Sequence, residues 1–228
     1  MRKHPNWQSH NWLVYKYFNF YFQNYKHLLK GRVVDLGCGE TPYKDLILQS
    51  ADSYTGIDWG NTLHASKADI LADLNKNLPI NDEEFDSALS ISVMEHLLDP
   101  KLFLKETYRI LKPGGVFILQ VPWQWGIHEA PFDFYRYTPY ALEAMTKEAG
   151  FVKCQISEMG NFFASMALKR NYFSRRLIRV PKFIRIIIKV VFYFYWQFNQ
   201  YFALVLGPLD RNQNYECSGY FCILKKKL

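Results

Sequence analysis

The sequence predicts a doubly wound α/β fold, and three observations predict it. Short apolar, β-branched runs alternate with helix-period segments from residue 32 to residue 159; a glycine-rich turn, DLGCG, closes the first run; and an acidic residue, Asp58, closes the second. Strands alternating with helices at this spacing build a parallel sheet covered on both faces. Such sheets bind ligands at the carboxyl ends of their strands, near the point where strand order reverses.

The elements follow in order. Residues 7–29 (WQSHNWLVYKYFNFYFQNYKHLL) place apolar side chains at mixed three and four spacing, which predicts one amphipathic helix ending near Lys30 and Gly31. RVVDL is a β-branched strand, and Thr41 followed by Pro42 reads as a helix N-cap with proline in the first turn. SYTGID (53–58), ADIL (68–71) and FDSALSIS (85–92) read as the second, third and fourth strands, and KLFLKETYRIL (101–111) is helical by period. KPGG then turns the chain into VFILQVP (116–122), whose unbroken apolar run predicts burial on both faces. TPYALEAMTKEAG (138–150) is a helix stopped by Gly150, followed by a sixth strand, FVKCQISEM (151–159), and a last one, GYFCILK (219–225). The chain therefore divides into an N-terminal helix (1–30), an α/β domain (31–159 with 218–228) and a helical excursion (160–217) that the alternation does not require.

The chain has 228 residues, 49% apolar and 21% charged, which excludes a disordered polypeptide and allows one domain with an added subdomain. Its net charge of +7 is uneven: residues 1–159 sum to −3 and residues 160–228 to +10, so the basicity belongs to the last third and marks a footprint for something anionic. Cys38, Cys154, Cys217 and Cys222 show no CxxC spacing and are too few to staple the chain, which fits a reducing cytosol. The aromatic stretch after Arg2 and Lys3 is interrupted by Lys16, Asn19, Gln23 and Asn24 and offers no small-residue cleavage site, so Met1 reads as the start of a cytoplasmic protein.

In the excursion, eight cations from Lys169 to Lys189 are interleaved with aliphatic residues, as in a basic amphipathic helix broken or begun at Pro181, and residues 190–209 carry no charge. Twenty such residues are long enough to cross a bilayer. The flanking strands must nonetheless share one sheet, which excludes a single pass. Gln197, Asn199 and Gln200 among Tyr and Trp read as interfacial instead. Two alternatives stand: residues 169–206 contact an anionic membrane surface, peripheral at its inner face, or they form a helical subdomain packed as a lid or a dimer contact. Nucleic acid is disfavoured, because no RNA-binding module accompanies the charge.

The sharpest local signal is VVDLGCGETPY (33–43). Gly37 and Gly39 permit a tight turn and close backbone approach to a ligand. Asp58 falls 21 residues after Gly37, where a carboxylate can accept both hydroxyls of a ribose. A dinucleotide site would need a third glycine where Pro42 stands, and Asp35 beside the turn disfavours a pyrophosphate but suits a sulfonium or ammonium group. These residues point to S-adenosylmethionine. Together with ADLNKNLPI (72–80), FDSALSISVMEHLLDP (85–100) and ETYRILKPGGVFILQVP (106–122), the chain resembles class I S-adenosylmethionine-dependent methyltransferases of the methyltransferase 11 type. The resemblance implies a Rossmann-like seven-stranded sheet, ordered 3-2-1-4-5-7-6 with the last strand antiparallel. It also implies that Asp35, Gly37 and Gly39 line the methionine end of the cofactor, that Asp58 holds the ribose, that Asp73 with Leu74 meets the adenine, and that Ser90 and Ser92 border the methyl group. Thr41 stands where many relatives carry a third glycine.

Methyl transfer from a sulfonium is an in-line displacement, which needs alignment and, for a hydroxyl acceptor, a base. Residues 123–139 (WQWGIHEAPFDFYRYTP) follow the fifth strand, where substrate loops lie, and their HE-P-DF-RYT pattern resembles a subfamily feature. His128 is the candidate base, Arg136 the candidate anchor for an acidic substrate group, and Glu129 or Asp133 the candidate orienter. The competing account is a loop tied down by an Arg136–Asp133 pair and capped by Thr138. His96, next to Glu95, is either packed or catalytic. No metal is expected, because the six histidines show no HxxxH spacing. The reading is methyl transfer to a small-molecule or lipid-linked acceptor, such as a saccharide, at the inner membrane face. Its rivals are a non-catalytic membrane-associated scaffold and an RNA methyltransferase.

Overall fold

The computed structural model describes residues 9–60, 66–177, 182–210 and 216–228. Seven strands form one sheet: β1 (Arg32–Leu36), β2 (Ser53–Asp58), β3 (Ile70–Leu71), β4 (Phe85–Ile91), β5 (Leu111–Pro122), β6 (Lys153–Met159) and β7 (Gly219–Lys225). Their order is β3-β2-β1-β4-β5-β7-β6, as the resemblance implies. β1 pairs in parallel with β2 and β4, β2 with β3, and β4 with β5. β7 runs the other way, since Val152 at the start of β6 donates to Lys225 at the end of β7 and Ser218 donates to Met159. The order reverses between β1 and β4, so the ligand-binding crevice belongs at the carboxyl ends of those two strands.

The apolar runs are buried as their pattern predicts: Val33, Val34 and Leu36 on β1, Ala88 and Leu89 on β4, and Phe117, Ile118 and Leu119 on β5 are all inaccessible. KPGG does not turn away from the sheet. Lys112–Gly115 lie inside β5, absorbed by a register shift opposite Phe85 and Ser87. That stretch is held as strand because it pairs with the end of the chain, Gly114 donating to Lys227 and Lys226 to Gly115. The helix start expected at Thr41–Pro42 also differs. α2 spans only Lys44–Ile47, its N-cap is Tyr43, and Thr41 takes a left-handed φ of 56° that no N-cap adopts. α3 (Pro100–Ile110) and α4 (Pro139–Glu148) begin as their sequences dictate, with proline in the first turn and Asp99 and Thr138 accepting from Leu102 N and Ala141 N.

The chain gathers into two compact units. One comprises Phe22–Trp123, Ile127–Ser157 and Tyr220–Leu228 and holds most of the sheet; the other comprises Met1–Tyr21, Gln124–Gly126 and Glu158–Gly219. The division falls inside α1 (Trp12–Tyr25) rather than near residue 30. The reason is packing. Trp12 and Leu13 are buried with Ala164, Ala167 and Leu168 of α5 (Phe162–Arg176) and Ala203 of α6 (Lys182–Leu206), whereas Phe22 packs on Tyr43.

α5 and α6 form an antiparallel hairpin stitched by polar side chains. Asn199 Nδ2 donates to Asn171 Oδ1 at 2.9 Å, Trp196 Nε1 to Ser174 Oγ at 2.8 Å, and Gln200 Nε2 to Ser9 O at 3.0 Å, while Gln200 Oε1 accepts from Leu13 N. Trp12 Nε1 donates to Gln197 Oε1 at 2.9 Å. Gln197, Asn199 and Gln200 therefore satisfy the interior of the helical unit and do not form an interfacial polar face. The opposite side of α6 is apolar and exposed: Ile187, Phe194, Phe198 and Val205 are each about two thirds to three quarters accessible. The cations expected on one basic helix fall on two, Lys169 to Arg176 ending α5 and Arg185 and Lys189 opening α6; Arg179 and Pro181 lie outside the described residues. Among the described residues no helix is long and apolar enough to cross a membrane.

Candidate functional site

The site grows from the carboxyl ends of β1, β2, β4 and β5. After β1 the backbone reverses at Gly37 and Gly39, with φ of 82° and 50°. A Cβ on Gly37 would lie 2.3 Å from Val93 Cγ2, so only glycine fits, whereas a Cβ on Gly39 would meet nothing within 4 Å: the turn opens onto space there. Gly37 N and Cys38 N donate to Ile57 O, and Gly39 N donates to Asp58 Oδ2 at 2.7 Å. Thr41, at the family's third-glycine position, holds the left-handed conformation that glycine would adopt without strain.

Asp58 is thus both a brace for the turn and a ligand candidate, since its Oδ1 makes no hydrogen bond among the described residues. Asp35 is buried and accepts from the Tyr54 hydroxyl at 2.6 Å. Burial raises its carboxyl to about 7, against the Tyr54 hydrogen bond, and repulsion from Asp58 adds to the rise. Two neighbouring carboxylates beside an open glycine turn suit hydroxyl donors and a cationic tail; they do not suit a pyrophosphate. The residues present therefore fit S-adenosylmethionine. The four-residue α2 is too short to add a useful dipole.

The remaining expected cofactor residues are spoken for locally. Asp73 Oδ1 accepts from Asn75 N and Nδ2, and Oδ2 lies 3.6 Å from Lys76 Nζ. Although desolvation opposes it, these partners lower the Asp73 pKa. Leu74 is buried beside it. Ser90 is buried and donates to Leu36 O at 2.8 Å, tying β4 to β1 at the crossover. Ser92, exposed with φ 53°, donates from Oγ to Gln120 Oε1.

The loop after β5 folds back over the end of β4. Phe134 N and Tyr135 N both donate to Glu95 O, Tyr137 Oη donates to Met94 O at 2.8 Å, and Phe132 meets Trp59, the residue after Asp58, edge-on at 5.5 Å. This brings His128 to the crevice, its ring 4.8 Å from that of His96. Of the two candidate orienters, Asp133 is the one in contact with His128: Oδ2 lies 3.2 Å from His128 Nδ1 and accepts from His128 N at 2.9 Å. Glu129 sits on the exposed turn at φ 52°. Arg136 grips Asp133 with two bonds, 2.6 and 2.8 Å, so its guanidinium fixes the loop, and the competing account of the sequence holds for this pair. Burial works against the Asp133 carboxylate, but the bonds from Arg136 and His128 outweigh it and bring its pKa down to about 2.

Glu95 and His96 are the residues whose place sequence reasoning undervalued. Glu95 is wholly inaccessible, and neither carboxylate oxygen has a hydrogen-bond partner. Burial lifts its pKa to about 8. The only sequence signal was an acid and a histidine side by side just past a strand end.

An α/β sheet of this order with an acidic, glycine-lined crevice at its reversal point defines the Rossmann-like class of nucleotide-binding folds. Within it, residues 34–119 match the family model described as Methyltransferase domain. A "Probable S-adenosylmethionine-dependent methyltransferase" of Mycolicibacterium smegmatis is 34% identical over 108 residues, 44% of this chain and 42% of that protein. A ubiquinone biosynthesis O-methyltransferase of Dinoroseobacter shibae is 32% identical over 38% of this chain and 39% of that protein. The chain thus spans about two fifths of the length of these curated relatives. Among solved structures, a SAM-dependent methyltransferase from Archaeoglobus fulgidus superposes with TM-score 0.59 at 17% identity, covering 96% of this chain and 95% of that one. Phosphoethanolamine N-methyltransferase 2 of Haemonchus contortus, in complex with S-adenosyl-L-methionine, gives 0.55 at 17% identity, covering 87% and 49%. Residues 34–119 thus match a methyltransferase domain, and over two fifths of its length the chain is similar to a probable S-adenosylmethionine-dependent methyltransferase.

Proposed function

We propose that this chain transfers a methyl group from S-adenosylmethionine to a hydroxyl of a small-molecule or lipid-linked acceptor met at an anionic membrane surface. The observation that carries the first half is the acidic glycine turn: Asp58 Oδ1 and the neighbouring Asp35 offer acceptors where a ribose and a cationic tail would lie. When bound, the cofactor supplies an electrophilic methyl on a sulfonium. The chain's own residues then position the acceptor and take its proton. His128, held by Asp133, is the base, and Trp59 and Phe132 close an aromatic wall beside it. The O-methyltransferases among the relatives favour oxygen as the acceptor atom.

The membrane half rests on the exposed apolar stripe of α6 with exposed Arg185 and Lys189 at its start, and Arg170, Arg175 and Arg176 exposed on α5. An apolar stripe flanked by cations is complementary to an anionic bilayer surface.

Isothermal titration tests the cofactor site. Wild-type chain binds S-adenosylmethionine, and Asp58→Ala loses at least about tenfold in affinity, the loss of a charge-assisted hydrogen bond. Asp58→Asn, which keeps an acceptor for Gly39 N–H, controls for the turn. Unchanged affinity in both variants would sink the reading.

A further inference from the structure

The geometry points to a divalent-cation site formed by Glu95, His96 and His128. We propose that it takes a first-row cation of the zinc class. The ligand atoms of these three side chains lie within 4.8 Å of one another. A tetrahedral zinc with bonds of about 2.0–2.1 Å holds its ligand atoms roughly 3.3 Å apart, so modest side-chain rotation closes the set.

The chemistry of the partners argues for a cation at this position. His96 Nδ1 lies 2.6 Å from Phe132 O, and a carbonyl only accepts, so the ring proton is on Nδ1 and the Nε2 lone pair faces outward. His96 Nε2 and Glu95 Oε1 lie 3.7 Å apart, facing each other across a gap with no hydrogen bond between them. Glu95 is wholly buried and neither oxygen is hydrogen-bonded, a costly arrangement for a carboxylate unless something positive sits beside it. The Arg136 charge acts on Glu95 against its burial, but the guanidinium spends two hydrogen bonds on Asp133 and makes none to Glu95.

His128 has the remaining feature of a metal histidine. Its Nδ1 lies against the Asp133 carboxylate at 3.2 Å, an arrangement that fixes the ring and makes the imidazole a stronger ligand. Two imidazoles and one carboxylate form a donor set for zinc, cobalt or iron(II) and leave coordination positions open. The three residues come from two segments, after β4 and after β5, at the carboxyl ends of the central strands where the acceptor is expected. The consequence for catalysis rests on the methyl-transfer reading. A cation here would acidify an acceptor hydroxyl directly, and His128 would then act as a ligand and not as the base.

Cobalt(II) titration of the untagged full-length chain, freed of metal with chelator, tests the site without any cofactor present. A failed methyl-transfer reading therefore leaves the result interpretable. We expect saturable binding of one Co2+ per chain with visible d–d absorption, displaced by Zn2+. Glu95→Gln and His128→Asn should each weaken binding at least tenfold, and Asp133→Asn by about 10–100-fold. His27→Gln, remote from the cluster, should leave it unchanged. Circular dichroism and thermal melting confirm that each variant folds. Absence of saturable binding by the wild-type chain, or equal binding by Glu95→Gln and His128→Asn, overturns the proposal and leaves His128 as the base.

Discussion

Gly37 and Thr41 are four residues apart in one turn and make opposite demands on the backbone. Gly37 has φ 82° and Val93 Cγ2 only 2.3 Å from where a Cβ would stand. Gly37→Ala should destabilise the chain by about 2 kcal/mol or more in thermal or urea unfolding, with part of the loss recovered by Val93→Ala. Thr41 is β-branched at φ 56°, a conformation costing about 1–2 kcal/mol. Part of that is offset because glycine has more freedom in the unfolded chain, so Thr41→Gly should stabilise by up to about 1 kcal/mol.

Asp35 gives a pH signature. Its folded pKa, about 7, lies above the ordinary value of 3.8, so the folded state prefers it protonated. The associated stability is present below pH 4 and is lost as pH rises through 7. The melting temperature of the ligand-free chain should fall across that window more steeply than that of Asp35→Asn. The extra stability conferred by S-adenosylmethionine should instead grow, because a cationic ligand favours the carboxylate. A melting profile identical in Asp35→Asn would contradict this assignment.

At the scale of the element, α6 shows what period alone cannot reveal. Its sequence is apolar and aromatic nearly all round, so the side facing inward was not legible, and Gln197, Asn199 and Gln200 read as a wet face. Packing decides otherwise: Gln200 is buried and supplies the acceptor for Leu13 N and a donor to Ser9 O, stitching the start of α1 to the hairpin. Gln200→Ala strands a buried backbone N–H and should cost about 1–3 kcal/mol in urea unfolding, whereas Tyr193→Ala on the same helix leaves that N–H satisfied. Equal losses from both would mean that burial of apolar area, not the amide network, joins the helices. α3 and α4, in contrast, were legible to within a residue or two. Asp99–Pro100 and Thr138–Pro139 are local start signals that need no tertiary partner.

For the whole molecule, the exposed stripe on α6 and the charge of +10 in residues 160–228 make a joint prediction. Full-length chain should sediment with phosphatidylglycerol-rich liposomes and much less with neutral ones. Raising salt should weaken the attraction, since screening shortens to about 3 Å at 1 M. Phe194→Ser with Phe198→Ser should release it while leaving S-adenosylmethionine affinity intact. Equal recovery of wild type and the double variant in the pellet would argue against a lipid surface. The alternation of strands and helices, the glycine turn and its partner Asp58 were determined by the sequence itself, because they depend on periodicity and on backbone conformations that only certain residues allow; the strand order followed only from the family resemblance. The meeting of Glu95 and His96 with His128, the capture of Arg136 by Asp133 and the inward face of α6 were decided only by the tertiary structure. Each depends on which distant segments fold against one another, and the 31 residues between His96 and His128 carry no local trace of that contact.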